Sequence, residues 1–84
     1  MNLEILTPTG KIFSGDVLGV QLPGIAGSFE VLDGHAPLVS ALKPGSLKII
    51  VEKSRNEFYQ IQGGFVEVLN NKVTVLVEGS KPIE

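Results

Sequence analysis

The side chain best suited to acid–base chemistry is His35, the only histidine among the 84 residues. It lies in the segment LDGHAP, with Asp33 two positions earlier. A nucleophilic triad needs such a base together with an activated nucleophile and an orienting group. Polar residues this close in a turn more often bond to nearby backbone than form a catalytic pair. The sequence therefore favours a structural turn, and we expect no catalytic residue and no enzyme.

Metal, phosphate and cofactor sites are disfavoured by residue type and spacing. The chain has one histidine and no cysteine, too few for the usual three- or four-ligand zinc site. No acidic loop has the calcium-binding spacing, and the glycine-rich segments GVQLPGIAG and IQGGF match neither the dinucleotide-binding nor the P-loop pattern. We expect no metal and no cofactor, and we expect the glycines in turns and bulges.

Length and charge narrow the class of protein further. A chain of 84 residues predicts one domain, 1–84. A net charge of −2 with scattered Lys and Arg gives no basic stripe for nucleic acid. The N-terminal MNLEILTPTG is not typical of a signal peptide, and no apolar run approaches the roughly 20 residues of a membrane helix. The lack of cysteine fits a reducing compartment.

The elements that must position any site are strands, because the apolar residues recur with a period of two. Leu47, Ile49 and Val51 share one strand face, and Val73, Val75 and Val77 share another. Further runs are expected at 3–6, 17–22, 28–32, 37–42, 58–62 and 65–69. Short strands with turns about every 8–12 residues predict an all-β sandwich or barrel.

Turn signals separate these runs. The pair Asn70-Asn71 predicts a two-residue hairpin, because asparagine accepts the left-handed backbone of a type I′ turn. The polar tail 79–84, broken by Pro82, is expected to be loosely ordered. In the run 65–69, Phe65 and Leu69 flank Glu67 on one face, and Val66 and Val68 lie on the other. One of these faces can fill the core, so the other, which is also apolar, suggests a partner.

A lysine-carrier domain is an alternative function. In biotinyl and lipoyl carriers the modified lysine lies at a hairpin tip, and Lys43 in ALKPG is beside a tight turn. Pro44 follows directly, however, and the residues typical of such carriers are absent. An unrelated small β binding domain is the other form of this alternative.

The segment GSFEVLDGHAPLVSALKPGSLKI resembles the signature of the epsilon subunit of F-type ATP synthases. In that family G-x-x-G-x-x-x-G-H-A-P-L precedes a short strand, K-P-G and another strand. Glu30 stands where the pattern usually has its second glycine. The segments LEILTPTGKIFSGDV, VQLPGIAGSFEVL and IQGGFVEVLNNKVTVLVE resemble the opening, second and closing parts of the same subunit, so the resemblance covers nearly the whole chain.

The resemblance implies a flattened two-sheet sandwich of about ten short strands. Members are noncatalytic rotor subunits in the central stalk. They bind the gamma subunit and rest on the ring of c subunits, within a complex that contains the catalytic alpha and beta subunits. No homo-oligomer is expected. The location implied is the cytoplasmic side of a bacterial inner membrane, with the stromal side of a thylakoid as an alternative.

The resemblance also implies site residues. The c-ring contact falls on Ser28, Phe29, Glu30 and His35. The gamma contact falls on six residues, namely Thr7, Pro8, Leu38, Val39, Ser40 and Leu42. For Leu38 and Leu42 a core position is the alternative. Most bacterial members continue into a C-terminal pair of helices that can inhibit ATP hydrolysis or bind ATP. We expect no such helical domain in this chain, so neither property is carried over.

Overall fold

The described residues form ten short strands and contain no helix, which confirms the all-β prediction. The computed structural model describes residues 1–83, and their side chains as far as residue 79. The strands are β1 Asn2–Thr7, β2 Gly10–Asp16, β3 Gly19–Gly24, β4 Gly27–Leu32, β5 Leu38–Leu42, β6 Gly45–Glu52, β7 Arg55–Ile61, β8 Gly64–Leu69, β9 Lys72–Val77 and β10 Ser80–Ile83.

The strands form two layers that are joined at one corner. One layer has the order β10-β7-β6-β3-β4, and the other has the order β5-β8-β9-β1-β2. A single residue pair, Gly24 with Leu42, connects β3 to β5. Because the chain bends at this pair, one layer folds over the other, and their inner faces share one hydrophobic cluster. The two-sheet sandwich is therefore confirmed.

The core is aliphatic, and no described side chain in it is polar. Its members come from both layers. Because successive side chains of a strand point to opposite faces, every second residue of a strand faces the core. Fully burying each such side chain contributes roughly 1.5–3 kcal/mol. The buried hydrophobic residues of the core are Leu3, Ile5, Val17, Val20, Leu22, Val31, Leu42, Leu47, Ile49, Ile61, Val66, Val68, Val73, Val75 and Val77.

The body is nearly equidimensional rather than flattened. The Cα atoms extend over 27 × 26 × 24 Å. Strands in this chain have four to eight residues, which at about 3.3 Å per residue makes a layer about as long as five strands are wide. The flattening implied by the resemblance is therefore not seen in the described residues.

The predicted Asn70-Asn71 hairpin is confirmed. Both residues have left-handed backbone, with φ of 50° and 61°. They connect β8 to β9, whose register runs from Leu69 with Lys72 to Gly64 with Val77. The turn chemistry of the two asparagines thus fixes the register of these two strands.

Two strands lie outside the runs that the sequence predicted. β2 has mostly exposed residues and a bulge where it pairs with β1 between Ile5 and Leu6, so it lacks a clear apolar alternation. β10 lies in the tail that was expected to be loosely ordered, yet Ser80–Ile83 pair antiparallel with β7. Backbone pairing to an existing edge needs no apolar side chains, which explains this correction. Residue 84 lies outside the described residues.

Candidate partner-binding surfaces

The loops gather at two ends of the sandwich. At the first, which we name the hairpin end, lie the turns at Pro8, at Ile25-Ala26 and at Lys43-Pro44. Backbone bonds hold the last two together, since Ile25 N donates to Ala41 O at 3.3 Å and Lys43 N donates to Pro23 O at 2.9 Å. The opposite end, which we name the His35 end, contains the loop 33–37, the Asn70-Asn71 turn and Met1, joined by the hydrogen bonds described below.

Strand β5 divides the residues predicted to contact the gamma subunit. Val39 points outward, with 73% of its surface exposed. Leu38, Ser40 and Leu42 lie on the opposite, inner face. Leu42 is only 5% exposed and belongs to the core, and Leu38 packs against the core. The core alternative for Leu38 and Leu42 is therefore the one that this structure supports.

An apolar patch lies on the outer face of the layer that contains β5, β8, β9 and β1. We name it the Phe65 patch, after its most exposed aromatic residue. Phe65 pairs with Leu76, and Leu76 also pairs with Leu6 on the other side. Val39 lies beside them, opposite Glu67. The Phe65 patch consists of Leu6, Val39, Phe65 and Leu76.

A shallow groove of about 350 Å³ extends the Phe65 patch to the hairpin end. Thr7 and Pro8 form part of its lining, so two further residues of the predicted gamma contact join Val39 on one continuous surface. The Thr7 hydroxyl donates to Gly10 O at 3.0 Å and accepts from Thr9 N at 3.3 Å. Thr7 therefore shapes the β1–β2 turn as well as lining the groove.

Gly64 forms the floor of this groove for a steric reason. Its φ of +153° lies in a region that side chains rarely adopt, and a Cβ atom there would collide with the carbonyl oxygen of Leu76. The groove thus depends on close approach between the backbones of β8 and β9. The sequence predicts apolar residues on both faces of β8, but it does not predict Leu6 or Leu76 as site residues, because these two meet only through the pairing of β1 with β9.

One charged residue near the patch, Glu4, is paired with two lysines. The Glu4 carboxylate lies 2.9 Å from Lys11 Nζ and 3.3 Å from Lys72 Nζ. A hydrogen bond from Lys11, supported by one from Lys72, lowers the pKa of Glu4. This network of Glu4, Lys11 and Lys72 has a net charge of +1. On the same face Glu67, opposite Val39, makes no ion pair within the described residues.

Strand β4 divides the residues predicted to contact the c ring. Ser28 and Glu30 are exposed on its outer face, whereas Phe29 is half-buried and packs against the core. A Cβ atom built on Gly24 would lie 2.8 Å from the Phe29 ring. Phe29 therefore covers the backbone of β3 and is not a free apolar anchor. An exposed apolar residue near it is Ile25, at 66% exposure, which is not among the predicted contacts.

His35 lies at the other end of β4 from Ser28. The four residue steps from Ser28 to Leu32 alone span about 13 Å, so the structure does not bring His35 together with Ser28. His35 N donates to Leu32 O at 3.1 Å, and its ring Nδ1 lies 2.7 Å from Ala36 O. Because a carbonyl only accepts, Nδ1 is the donor in that bond.

Asp33 has no bond to His35 among the described contacts; it is the centre of a different network. Its Oδ1 accepts from the Met1 amino group at 2.7 Å and from Asn71 Nδ2 at 3.0 Å. Asn71 Oδ1 in turn accepts from Gly34 N at 2.9 Å. The bond from the Met1 amino group, with that from Asn71, lowers the pKa of Asp33. This network ties the His35 loop to the β8–β9 hairpin, and it supports a structural turn rather than a catalytic pair.

Comparison with known proteins shows the family. Residues 1–82 match the family described as "ATP synthase, Delta/Epsilon chain, beta-sandwich domain". The chain belongs to this family. Membership of the ATP synthase delta/epsilon family confirms the resemblance and excludes the alternative of an unrelated β binding or lysine-carrier domain.

Two relatives named "ATP synthase epsilon chain" illustrate the range of lengths in the family. The chain from Nitratiruptor sp. is 48% identical over 84 residues, which are 100% of this chain and 65% of that relative. The chain from Chlorobium limicola is 43% identical over 76 residues, which are 90% of this chain and 86% of that relative. This chain thus spans about two thirds of one epsilon chain and most of the other.

Solved structures show the same fold. A chain of the Euglena gracilis mitochondrial ATP synthase, in a structure of OSCP, F1 and the c ring, superposes with a TM-score of 0.90 at 27% identity. The match covers 95% of this chain and 51% of that one. A chain of the Tetrahymena thermophila mitochondrial ATP synthase, from its central stalk and c ring, has a TM-score of 0.84 at 21% identity over 96% of this chain and 65% of that one. The second likeness concerns the fold alone.

None of the described residues belongs to a helix long and apolar enough to cross a membrane.

Proposed function

We propose that this chain is a noncatalytic rotor subunit of a proton-translocating F-type ATP synthase. It binds the gamma subunit and contacts the c ring, and so couples proton flow to ATP synthesis by the alpha and beta subunits. The observation that carries the proposal is family membership over residues 1–82. The location that follows is peripheral, on the cytoplasmic side of a bacterial inner membrane or the stromal side of a thylakoid.

The gamma subunit binds the Phe65 patch and the adjoining groove. Phe65 is 58% exposed and Leu76 is 51% exposed, although both are apolar and lie side by side. Contiguous apolar surface of this kind typically marks a protein-binding site. Three residues of the predicted gamma contact, Thr7, Pro8 and Val39, lie on this surface, so the patch supports them as contacts. Leu38, Ser40 and Leu42 contribute by holding β5 in place.

The hairpin end faces the c ring. Ser28 and Glu30 are exposed there on β4, and Ile25 projects from the adjacent turn. Phe29 packs between the core and the backbone of β3 and so supports the β3–β4 hairpin. His35 lies at the opposite end of β4 from Ser28, and its role in the proposal is to shape the loop that precedes β5.

A rotor part must transmit torque without deforming. The aliphatic core supports this role, because close-packed interiors have low compressibility. The two layers share one core, so a force applied at the Phe65 patch on one layer reaches β4 on the other through packed side chains. Helix-mediated inhibition and ATP binding form no part of the proposal.

Recovery from membranes tests the complex as a whole. We expect the tagged chain, expressed in its source cell and recovered after gentle solubilisation, to bring down gamma, c, alpha and beta subunits in fixed proportion by mass spectrometry. Recovery of the chain alone from cells whose membranes retain those subunits contradicts the proposed function.

The gamma surface has its own test. Replacing Phe65 with Ala should weaken binding to purified gamma subunit at least tenfold, because exposed aromatic residues at the centre of an interface carry much of the binding energy. Phe58→Ala is the matched control, since Phe58 is 41% exposed on the other layer. Titration calorimetry measures both. Equal effects of the two substitutions would remove the Phe65 patch from the proposal while leaving membership of the complex intact.

A further inference from the structure

Strand β4 has one open edge. Among the strands of residues 1–83, β4 pairs only with β3. Its register with β3 is unbroken from Gly19 with Leu32 to Gly24 with Gly27. The backbone groups on the other side of β4 therefore have no partner strand.

The alternation of hydrogen bonds along β3 and β4 identifies these backbone groups. Leu32 O accepts from His35 N, and Pro23 O accepts from Lys43 N, so neither carbonyl bonds across the β3–β4 ladder. In an antiparallel pair, hydrogen-bonded and non-hydrogen-bonded residue pairs alternate. The backbone groups of Ser28, Glu30 and Leu32 thus point away from β3. With Leu32 O already bonded, the open edge offers three N–H groups and two carbonyls.

Two other open edges of the described sheet, those of β2 and β10, are protected. β2 has a bulge opposite Ile5 and Leu6 and carries Lys11. β10 carries Lys81 and Pro82. Bulges, lysine and proline are the devices by which proteins block pairing at a sheet edge. β4 has none of these, and neither has β5, whose edge pairs with β3 only between Gly24 and Leu42. The two edges differ in charge, because β5 has no charged residue whereas β4 has Glu30.

We propose that β4 accepts an added strand, namely a short extended segment from a polar loop of the c ring, with a lysine or arginine beside Glu30. This inference rests on the proposed function. The five open groups span about 13 Å, which roughly four extended residues match, so a loop suffices and a long strand is not required. Strand addition supplies affinity through main-chain bonds, and the side chains beside the strand supply specificity.

A second copy of this chain is a poorer occupant of the same edge. Antiparallel pairing of two β4 edges about a two-fold axis at the centre of the open groups places Glu30 opposite Glu30. Like charges directly opposite each other destabilise a strand pair. A cationic partner has the opposite effect, which is why charge favours a different chain.

Hydrogen–deuterium exchange with residue resolution tests the pairing directly. The isolated chain and the solubilised intact complex are compared. We expect the amides of Ser28, Glu30 and Leu32 to exchange quickly in the isolated chain and at least tenfold more slowly in the complex. The amides of Phe29 and Val31, which point towards β3, should be slow in both.

The outcomes separate the two proposals. If the chain is present in the complex but the amides of Ser28, Glu30 and Leu32 exchange as in the isolated chain, strand addition is wrong and the rotor function stands. If the chain does not assemble with the complex, both fail. If the three amides become protected in the isolated chain as its concentration rises, a second copy occupies the edge and the c-ring segment does not.

A pair of substitutions provides an independent readout. Glu30→Pro removes an N–H that only the added strand uses, and Glu30→Ala removes the charge but keeps that N–H. We expect Glu30→Pro to weaken binding to a c-ring and gamma subcomplex about fivefold or more beyond Glu30→Ala. Slow exchange of the Phe29 and Val31 amides verifies that the proline variant is folded. Equal binding by the two variants overturns strand addition.

Discussion

Single residues on the floor of the groove determine whether its surface can form. Gly64→Ala adds a Cβ atom that collides with the Leu76 carbonyl, at a φ of +153° that alanine rarely adopts. Backbone strain and overpacking each cost about 1–3 kcal/mol, so we expect a loss of about 3 kcal/mol or more in the free energy of unfolding, measured by urea denaturation. In Gly15→Ala, where the nearest atoms are 4.0 Å away, the loss should stay below about 1 kcal/mol. A Gly64 variant as stable as the Gly15 variant would contradict the steric account.

Asp33 makes stability depend on pH. Its folded pKa is lowered from the ordinary value of 3.8, first by the bond from the Met1 amino group and then by Asn71. The unfolded state therefore binds more protons in this range, and the stability that Asp33 contributes is complete above pH 3.8 and is lost as the pH falls through the lowered folded value. We expect Asp33→Asn to lower the urea midpoint at about pH 6 and to have little effect at about pH 2.

Asp16→Asn is the control for this pH dependence. Asp16 is exposed, and it makes no ion pair within the described part of the chain. Its replacement should change the midpoint little at either pH. A difference between wild type and Asp33→Asn that persists unchanged to about pH 2 would show that the carboxylate charge is not the cause.

At the scale of elements, the β8–β9 hairpin holds the His35 loop. Asn71→Gly keeps the left-handed turn but loses the bonds to Gly34 and Asp33, so we expect a loss of about 1 kcal/mol in unfolding free energy. The amide of His35 should also exchange faster. Asn70→Gly keeps both the turn and the bonds, and it should be neutral or slightly stabilising. Equal losses in the two variants would assign the effect to the turn instead of the cross-link.

Most strands were predictable, because the alternation of apolar and polar residues along a strand indicates which face is buried. The inner face of β9, with Val73, Val75 and Val77, and the Asn70-Asn71 turn were both expected and found. Strand β2 was not, because an exposed edge strand with a bulge has no strict alternation to detect. Strand β10 was not, because it is held by backbone pairing to β7.

The site was harder to predict than the strands, because residues adjacent in sequence point to opposite faces of a strand. The resemblance grouped Val39 with Leu38 and Ser40, although the period of two separates them. It also grouped Ser28 with His35, which the length of β4 holds apart. Leu6 and Leu76 meet only through parallel pairing of β1 with β9, a long-range contact that the pattern of neither strand reveals.

At the scale of the whole molecule, the β1–β9 pair closes the sheet between distant parts of the chain. Asn2 pairs with Lys72, and Leu6 pairs with Leu76. The chain loses loop-closure entropy before such contacts can stabilise it, so sheets rich in non-local pairs fold in milliseconds to seconds. By contrast, β6 and β7 are joined by a short turn. We therefore infer that the β6–β7 hairpin forms early and that β1 docks late.

Matched core substitutions test this order. Ile5 in β1 and Ile49 in β6 are both fully buried, and Ile→Val costs about 1 kcal/mol at such sites, enough for a reliable kinetic comparison. If β1 docks after the transition state, Ile5→Val speeds unfolding and leaves the folding rate nearly unchanged, whereas Ile49→Val slows folding. Stopped-flow circular dichroism across urea concentrations measures both rates. Slower folding in Ile5→Val, with no change in Ile49→Val, would mean that closure of the sheet between β1 and β9 forms the nucleus instead.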